Sequence, residues 1–486
     1  MPLLDPFQPS AAQPWNARRV AHLYNRLGFG ATHAEVEAGL QLSPSDLVDQ
    51  LLDAAAALPS PAEPVFANWT YDDYVAADPD PNALIGAHRN EMYRRWISEM
   101  LAPATSVRAR MSFFFHNNFV TGVRNYQSPA YQFQYYKLLN DFAFGNFQEL
   151  AREMGRSAAM LVYLNGNISV AAEPNENYAR ELMELFTLGE NQGYTQADIV
   201  NMARALTGWR ADEGSWYLPY FNPNLWDKNP KTIFGQTGNF NFDQAHNLIF
   251  TYRKPQVSRF LPTKLYKQFV YQEIDTEVID GLSATFQSNN WEIMPVLKQL
   301  FKSEHFFSEK IMGAHLKSPI ELLLGLIRNS GTQFPDWMTN TTFFNDIAYW
   351  ASELGQEIFN PPNVAGWPGH HLWLNENTLT YRWTFADYVV YNLQVDASNR
   401  EILRQLAIDL TNNSNNPYLV TEAVVEHFLR QDLEPIQLEA AIMAFKEGIP
   451  SNYFDDGSWN LSWNEAPFQI TNLLKYLVRL PEFQLV

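Results

Sequence analysis

Three ionisable side chains recur at every fourth position in one short stretch of the chain. They are Glu176, Arg180 and Glu184, and they lie in the segment 174–189, PNENYARELMELFTLG. Residues four positions apart share one stripe of a helix, so the segment predicts a helix with an arginine between two carboxylates. A solvated face usually mixes lysine with glutamate, so we expect this stripe to be buried or to line a cleft. A surface helix with two ion pairs is the alternative.

The other polar residues of this segment fit the same helix. Asn175 is a suitable N-cap, and Gly189 is a suitable end because glycine tolerates the left-handed conformation that often follows a helix. Glu181 and Asn177 fall on the neighbouring stripe, and Tyr178 is close to them in sequence. The segment therefore offers several groups for proton exchange and hydrogen bonding.

A second segment, 115–122 (FHNNFVTG), places His116 and Asn117 directly after an aromatic run. Histidine titrates near neutral pH, so His116 is a candidate general base or acid. A core histidine whose nitrogens are satisfied by the fold is the alternative.

A third segment, 359–369 (FNPPNVAGWPG), combines paired prolines with two glycines around Asn363 and Trp367. The prolines fix an extended course, and the glycines allow tight turns. The segment predicts either a pocket wall with an aromatic platform or a rigid plug that packs Trp367 into the core.

Several common chemistries have no support in the sequence. There is no cysteine, which excludes disulfides, thiolate metal sites and a cysteine nucleophile. The segment 231–239 (KTIFGQTGN) lacks the residue order of a phosphate loop, and no Gly-x-Ser-x-Gly motif occurs. No histidine follows Glu181 or Glu184 at the spacing of a helical metal site, so a metal bound by His116 and these carboxylates stays open without support from spacing.

Composition narrows the class of partner. The chain has 486 residues, of which 46% are hydrophobic, and 34 basic against 53 acidic residues give a net charge of −19. This charge argues against nucleic acid and anionic membrane surfaces, and it favours neutral or cationic ligands. No apolar run approaches the ~18 residues of a membrane span. The start of the chain carries no export signal, which makes the cytoplasm the default, and an exported mature form cut from a longer precursor stays open.

Helical periodicity dominates the chain, and we expect a mainly α fold with a single large helical domain over residues 15–485. Thr32 and Thr195 are each followed three positions later by an acidic residue, which predicts capping boxes at two helix starts. Segments rich in Pro, Gly, Trp or Asp predict long loops at about 55–87, 209–243 and 355–375. The second of these contains at most a short hairpin.

Seven motifs in this order resemble a bacterial family catalogued as domain of unknown function 1800. The motifs are 23–30 (LYNRLGFG), 115–121 (FHNNFVT), 175–182 (NENYAREL), 205–209 (ALTGW), 231–235 (KTIFG), 317–321 (KSPIE) and 360–368 (NPPNVAGWP). The resemblance covers residues 15–485. It implies export, often by the twin-arginine route, and genes beside sulfatase-like proteins, which point to surface polysaccharides. No settled activity comes with it.

The chain departs from the family pattern at three places. It lacks the export signal of many relatives, which puts the implied export in doubt. Trp226-Asp227 stands where His-Asp is expected, and Asn118 stands where relatives tend to have a second histidine. A site built on those histidines would be incomplete here.

Two hypotheses follow from the residues and the resemblance. The first is a hydrolase acting on a carbohydrate or related surface polymer, with Glu181 or Glu184 as acid/base, Arg180 keeping one carboxylate ionised, and His116 assisting. The second is a non-catalytic binding or assembly protein that works with a surface polysaccharide or a sulfatase-like partner. The predicted substrate-binding residues are Asn117, Asn175, Glu176, Asn177, Tyr178, Trp209, Lys231, Asn363 and Trp367.

Overall fold

The structure, a computed structural model, describes residues 3–212 and 214–486 and confirms the mainly α class. The first half of the helices is α1 Ala17–Leu27, α2 His33–Leu40, α3 Pro44–Ala56, α4 Tyr71–Ala77, α5 Pro81–Leu101, α6 Ser106–Asn118, α7 Val123–Tyr126, α8 Pro129–Asp141, α9 Phe147–Arg156, α10 Ala158–Tyr163, α11 Asn177–Glu181 and α12 Gln196–Ala205. A π-helical turn, Leu182–Thr187, continues α11.

The second half of the helices follows the segment 209–241. It comprises α13 Phe242–Tyr252, α14 Lys254–Phe269, α15 Thr276–Ser288, α16 Ile293–Lys302, α17 Pro319–Asn329, α18 Thr341–Glu353, α19 Glu376–Val395, α20 Ala397–Thr411, α21 Pro417–Phe428, α22 Pro435–Lys446, α23 Asn452–Asp455 and α24 Ala466–Leu477. Short 3₁₀ turns are found at Gly166–Ile168, His370–Trp373 and Pro481–Gln484.

Local chemistry explains where several helices begin. Thr32 accepts a hydrogen bond from the backbone N–H of Glu35 at the start of α2, and Thr195 accepts one from Asp198 at the start of α12. In both cases the acidic side chain accepts a hydrogen bond from the backbone N–H of the N-cap residue, so both predicted capping boxes are confirmed.

Two small antiparallel sheets form in the segment 209–243. Strand β1, Trp209–Arg210, pairs with β2, Tyr220–Phe221, and strand β3, Lys231–Ile233, pairs with β4, Gln236–Gly238. Phe234 and Gly235 connect β3 to β4 with φ values of 52° and 77°, the conformation that closes a two-residue hairpin. The predicted hairpin is therefore present, and the sequence missed the β1–β2 pair.

The predicted loop 55–87 is wrong over about half of its length, which is helical, whereas 355–375 contains no regular element except its 3₁₀ turn. Helix α4 and the start of α5 lie inside 55–87. Thr70 caps α4, and Asp80 caps α5 immediately before Pro81. Aspartate and proline favour helix starts as well as loops, and composition did not distinguish the two.

A connected cluster of buried apolar side chains extends from Phe7 to Phe483. Among the described residues, none of the helices combines the length and the hydropathy that crossing a bilayer requires.

Two helices run through the interior and carry a buried ion pair. Helix α6 is buried from Ser106 to His116, and all of α17 is buried. The Arg110 guanidinium of α6 forms a salt bridge with the Glu321 carboxylate of α17, and both side chains are almost fully buried. Ser318 completes a capping box with Glu321, whose second oxygen accepts the Ser318 N–H at 2.6 Å.

The environment of Glu321 keeps it ionised. Burial by itself raises the pKa of this carboxyl, but Arg110 and the Ser318 hydrogen bonds outweigh burial and lower the pKa to about 2. A carboxylate with a lowered pKa stabilises the folded protein fully above its ordinary pKa of 4.5, and this contribution is lost as pH falls towards 2.

The variant Glu321→Gln is expected to lose about 3–5 kcal/mol of unfolding free energy at pH 7, because it leaves the Arg110 charge buried without a counter-charge. It should also lose part of the acid sensitivity of the wild type between pH 4.5 and 2. Urea denaturation across this range measures both effects. The control is Glu401→Gln, which removes an exposed pair with Arg404 and should cost less than about 1 kcal/mol. Equal losses in the two variants would contradict the role assigned to the buried pair.

Candidate functional site

A cleft of about 790 Å³ opens between α6, α14 and the segment 355–375. Its volume lies within the range of small-molecule sites. Seven amide side chains line it: Asn117, Asn118, Gln192, Gln256, Gln268, Gln272 and Gln356. The aromatic lining residues are Phe113, Phe114, Phe260, Trp367 and Trp373. The ionisable ones are Arg110, Arg259, Lys264, Lys267, His315, Glu321 and His370.

The segment 355–375 is fixed to α6 by one amide. Asn117 accepts a hydrogen bond from the backbone N–H of Trp367 through Oδ1 at 2.7 Å. Trp367 is 4% exposed, and its ring lies 5.3 Å from Phe113 and 5.2 Å from His116 between centroids. Its indole N–H is buried without a hydrogen-bond partner among the described residues. Trp367 thus packs into the core, as the plug alternative predicts, and also lines the cleft.

His116 ties α6 to the same segment from inside the core. Its Nε2 accepts the backbone N–H of Phe359 at 3.0 Å, so its Nδ1 carries the proton and donates to the Tyr135 hydroxyl at 2.7 Å. That hydroxyl in turn donates to the carbonyl of Phe119. Burial lowers the pKa of His116 to about 3. The imidazole is neutral, fully buried and saturated with bonds, and these contacts give the predicted acid–base role no support.

The stripe of the opening segment lies at the surface, so the expectation that it is buried is wrong. Arg180 donates to Glu176 at 3.0 Å and to Glu184 at 3.5 Å, and the side chains of Arg180 and Glu176 are 36% and 37% exposed. Gln196 joins them as a further hydrogen-bond partner. The helix buries its apolar face and turns this stripe outward, which avoids the cost of desolvating three charges.

A change of helix type connects this segment to the cleft. From Leu182 to Thr187 the backbone winds as a π-helix, a form that recurs at functional sites. The carbonyl of Leu185 accepts a hydrogen bond from Lys264 Nζ at 3.2 Å, and Leu188 lines the cleft. Gly189 ends the segment with φ of 99°, as predicted.

Glu181, on the neighbouring stripe, is partly buried. Burial and the nearby Glu184 carboxylate raise its pKa, against the opposing effect of Arg180. Glu181 and Glu184 are not among the residues that line the cleft.

The other residues predicted from the opening segment serve the local fold. Asn175 accepts the backbone N–H of Asn177 at 2.9 Å, and Asn177 itself is exposed. Tyr178 is buried, and its hydroxyl lies 3.3 Å from His246 Nε2. None of the three lines the cleft.

Three further predicted residues lie in the segments 209–243 and 355–375 and make local contacts there. Lys231 is 1% exposed and donates to the carbonyls of Asp227 and Asn229 and to the side chain of Asn239. The Asn363 side chain accepts the backbone N–H of Ala365 at 2.9 Å and forms a local turn. Trp209 in β1 lies beneath the guanidinium of Arg156. Of all predicted site residues, only Asn117 and Trp367 line the cleft.

The sequence offered two unused signals for the residues that do line the cleft. Arg259, Lys264 and Lys267 recur on one helix of an otherwise acidic chain. The motif 317–321 combines a capping box with Glu321. Neither signal predicts that α14 faces α6, because this contact joins helices that are distant in the sequence.

The described residues provide no set of ligands for a metal ion. Within residues 3–212 and 214–486, no group of three or more histidine or acidic side chains is placed to hold an ion.

The family model described as "Protein of unknown function (DUF1800)" matches residues 22–485. The chain belongs to this family. No curated protein and no solved structure matches the chain. Every lining residue of the cleft, from Arg110 to Trp373, lies within the range matched to the DUF1800 family.

The variant Gly366→Ala tests how the cleft wall is attached. Gly366 has φ of 87°, and a Cβ there would lie 2.3 Å from Asn117 Oδ1 and 2.6 Å from its carbonyl oxygen. We expect the wall to separate from α6, with a loss of about 2–4 kcal/mol of unfolding free energy and faster amide exchange at Trp367.

Gly355→Ala is the matched control. Gly355 lies in the same segment and has the same φ of 87°, but a Cβ there meets no atom within 4 Å. This variant carries only the backbone strain of a left-handed residue, about 1–2 kcal/mol. Equal losses in both variants would show that the close approach to Asn117 is not what holds the wall.

Proposed function

We propose that this DUF1800 chain binds an oxygen-rich, carbohydrate-like ligand in the cleft between α6, α14 and the segment 355–375. The observation that carries the proposal is the lining, which combines seven amide side chains with five aromatic ones. Amides donate and accept hydrogen bonds with hydroxyl groups, and aromatic rings cover the apolar faces of sugar rings.

Binding is favoured over glycoside hydrolysis in this cleft because the lining lacks a carboxylate pair. Hydrolysis of this kind uses two carboxyls, at about 5–5.5 Å for retention or about 6.5–9.5 Å for inversion. Glu321 is the single carboxylate among the lining residues, and its lowered pKa prevents it from acting as an acid near neutral pH. A sulfatase-like partner, which the family resemblance implies, stays a prediction.

The double variant Gln256→Ala, Gln268→Ala tests ligand binding. Both side chains are partly exposed on the cleft wall. Each lost hydrogen bond weakens binding by about 0.5–1.5 kcal/mol, so the affinity of the double variant should fall by roughly fivefold to 150-fold. Titration calorimetry with oligosaccharides selected on a glycan array measures the change. Gln287→Ala removes an exposed amide outside the cleft and should bind as the wild type does. Unchanged affinity in the double variant, or no binding by the wild type, would contradict the proposal.

The hydrolase remains a second candidate because of one observation at the π-helical turn. Glu181 has a raised pKa and a carboxylate neighbour, Glu184, which suits a general acid. In this scheme Glu184 is the carboxylate partner of Glu181, and Arg180 limits the repulsion between the two groups.

Glu181→Gln should then reduce turnover of chromogenic glycosides by about 10²-fold or more, because amides do not donate a proton to a leaving group. Glu173→Gln, an exposed carboxylate before α11, should keep wild-type rates. Equal rates in the wild type and Glu181→Gln would remove this candidate.

A further inference from the structure

The charge of the cleft is opposite to that of the chain. The whole sequence has a net charge of −19, whereas the ionisable lining residues include four basic side chains and one carboxylate. That carboxylate, Glu321, is already paired with Arg110. The expectation that an acidic chain favours neutral or cationic ligands therefore does not extend to this cleft, since a local field follows local charges.

The cleft cations that lack a carboxylate partner are two lysines of one helix. Arg259, Lys264 and Lys267 all belong to α14, but Asp280 neutralises Arg259 in an exposed pair. Among the described residues the lysines in salt bridges are Lys137, Lys298 and Lys302, so neither Lys264 nor Lys267 has a carboxylate within salt-bridge distance. Two ammonium groups three positions apart on a helix repel each other, so the fold maintains an unfavourable arrangement at this wall.

The Lys264 ammonium has more N–H donors than hydrogen-bond acceptors around it. Its ammonium carries three N–H groups, and the Leu185 carbonyl accepts one of them at 3.2 Å. The Phe260 ring lies 4.9 Å from Nζ and supplies no strong acceptor. Burial, together with the Lys267 charge, lowers the pKa of Lys264 to about 8. An anion beside Lys264 would satisfy the remaining donors and offset the repulsion from Lys267.

Three further cationic side chains interact with Glu321 in the interior next to the cleft. Arg26, Lys317 and Arg382 are buried, and all three interact electrostatically with the single carboxylate Glu321. Two guanidinium nitrogens of Arg26 have no hydrogen-bond partner among the described residues. Burial lowers the pKa of Lys317 to about 7, so this lysine carries only part of a charge near neutral pH. The two arginines remain charged, so Glu321 neutralises only part of the buried positive charge and the excess adds to the field at the cleft.

A buried histidine on the lining supplies an additional polar atom. His315 is 6% exposed, and its Nδ1 is buried without a partner within residues 3–212 and 214–486. Burial lowers its pKa to about 3, so it is neutral and can donate one N–H. An unpaired polar group in this position is costly unless a ligand satisfies it.

We propose that the cleft selects ligands that carry an anionic oxygen group, namely a sulfate ester, a phosphate ester or a carboxylate, which binds at Lys264 and Lys267 of α14. The proposal rests on the carbohydrate-like ligand proposed above and specifies its charge. The amides and aromatic rings contact the uncharged part of the ligand, and the two lysines contact the anion.

The first experiment uses inorganic probes. Melting temperatures are measured in sodium sulfate, phosphate and acetate against sodium chloride at equal ionic strength, because a bound anion stabilises the folded protein by mass action. We expect at least one oxyanion to raise the melting temperature above that in chloride. The three salts distinguish sulfate, phosphate and carboxylate. Equal melting temperatures in all four salts would overturn the proposal.

Two variants locate the effect. Lys267→Gln changes an exposed side chain, and Lys264→Met keeps the length of a partly buried one without its charge. Each should reduce the oxyanion-specific shift, and Lys267→Gln remains informative if Lys264→Met fails to fold. Lys228→Gln, an exposed lysine outside the cleft, is the control and should retain the full shift. A shift that survives Lys267→Gln and Lys264→Met would overturn the assignment to α14.

A second experiment separates this proposal from the one on which it rests. Calorimetry compares a neutral oligosaccharide with its sulfated, phosphorylated and uronic acid forms. We expect an anionic form to bind about tenfold or more tightly, and the double variant Lys264→Met, Lys267→Gln to remove that ratio. Equal binding of neutral and anionic forms would overturn the charge selectivity and leave the carbohydrate site standing. Lysine-dependent binding of an inorganic anion without binding of any sugar would support the anion site and overturn the carbohydrate proposal.

Discussion

The salt bridge between Arg110 and Glu321 joins parts of the chain that lie 211 positions apart, and the cleft is built around it. The Arg110 guanidinium also lies 5.2 Å from the ring of Phe29 and 5.5 Å from that of Phe269, at the end of α14. One side chain of α6 thus contacts α14, α17 and the segment after α1. Two buried charges cost several kcal/mol of desolvation each, and only close pairing with additional hydrogen bonds offsets this. The capping box of Ser318 supplies those bonds.

The same arrangement sets the position of the cleft wall. Two turns after Arg110, α6 presents Asn117 to the backbone of Trp367, and one residue earlier it presents His116 to the backbone of Phe359. An irregular segment is thereby attached through its own N–H groups, which otherwise need solvent or secondary structure. The wall is thus hydrogen-bonded to a helix that is itself anchored by the buried ion pair.

Much of the fold was predictable because its determinants are local. The capping boxes at Thr32 and Thr195 need only residues three positions apart, and the hairpin at Phe234-Gly235 needs a glycine with positive φ. The error at 55–87 has the same origin, since local composition that begins a helix resembles that of a loop. The surface position of the Glu176–Arg180–Glu184 stripe was not predictable, because spacing identifies a stripe and the neighbouring helices decide which stripe faces the core.

The candidate site was less predictable than the fold. Asn117 and Trp367 were identified from motifs, but Lys264 and Lys267 acquire meaning only because α14 faces α6. Several motif residues by which the family is identified act as structural ties: His116 binds Phe359, and Lys231 binds the carbonyls of its own loop. The family motifs thus identified residues that hold the fold together, and they did not identify the lysines that line the cleft.

The π-helical turn at Leu182–Thr187 has a consequence for side-chain direction. Such a turn accommodates one more residue than the α turn it replaces, and each residue of an α-helix rotates the chain by about 100°. A helical wheel started at Asn177 therefore loses phase beyond Leu182. Sequence spacing no longer predicts which residues before and after the turn share a face of the helix. The segment whose ionisable groups suggested the first candidate site is also the one in which regular periodicity stops describing where those groups point.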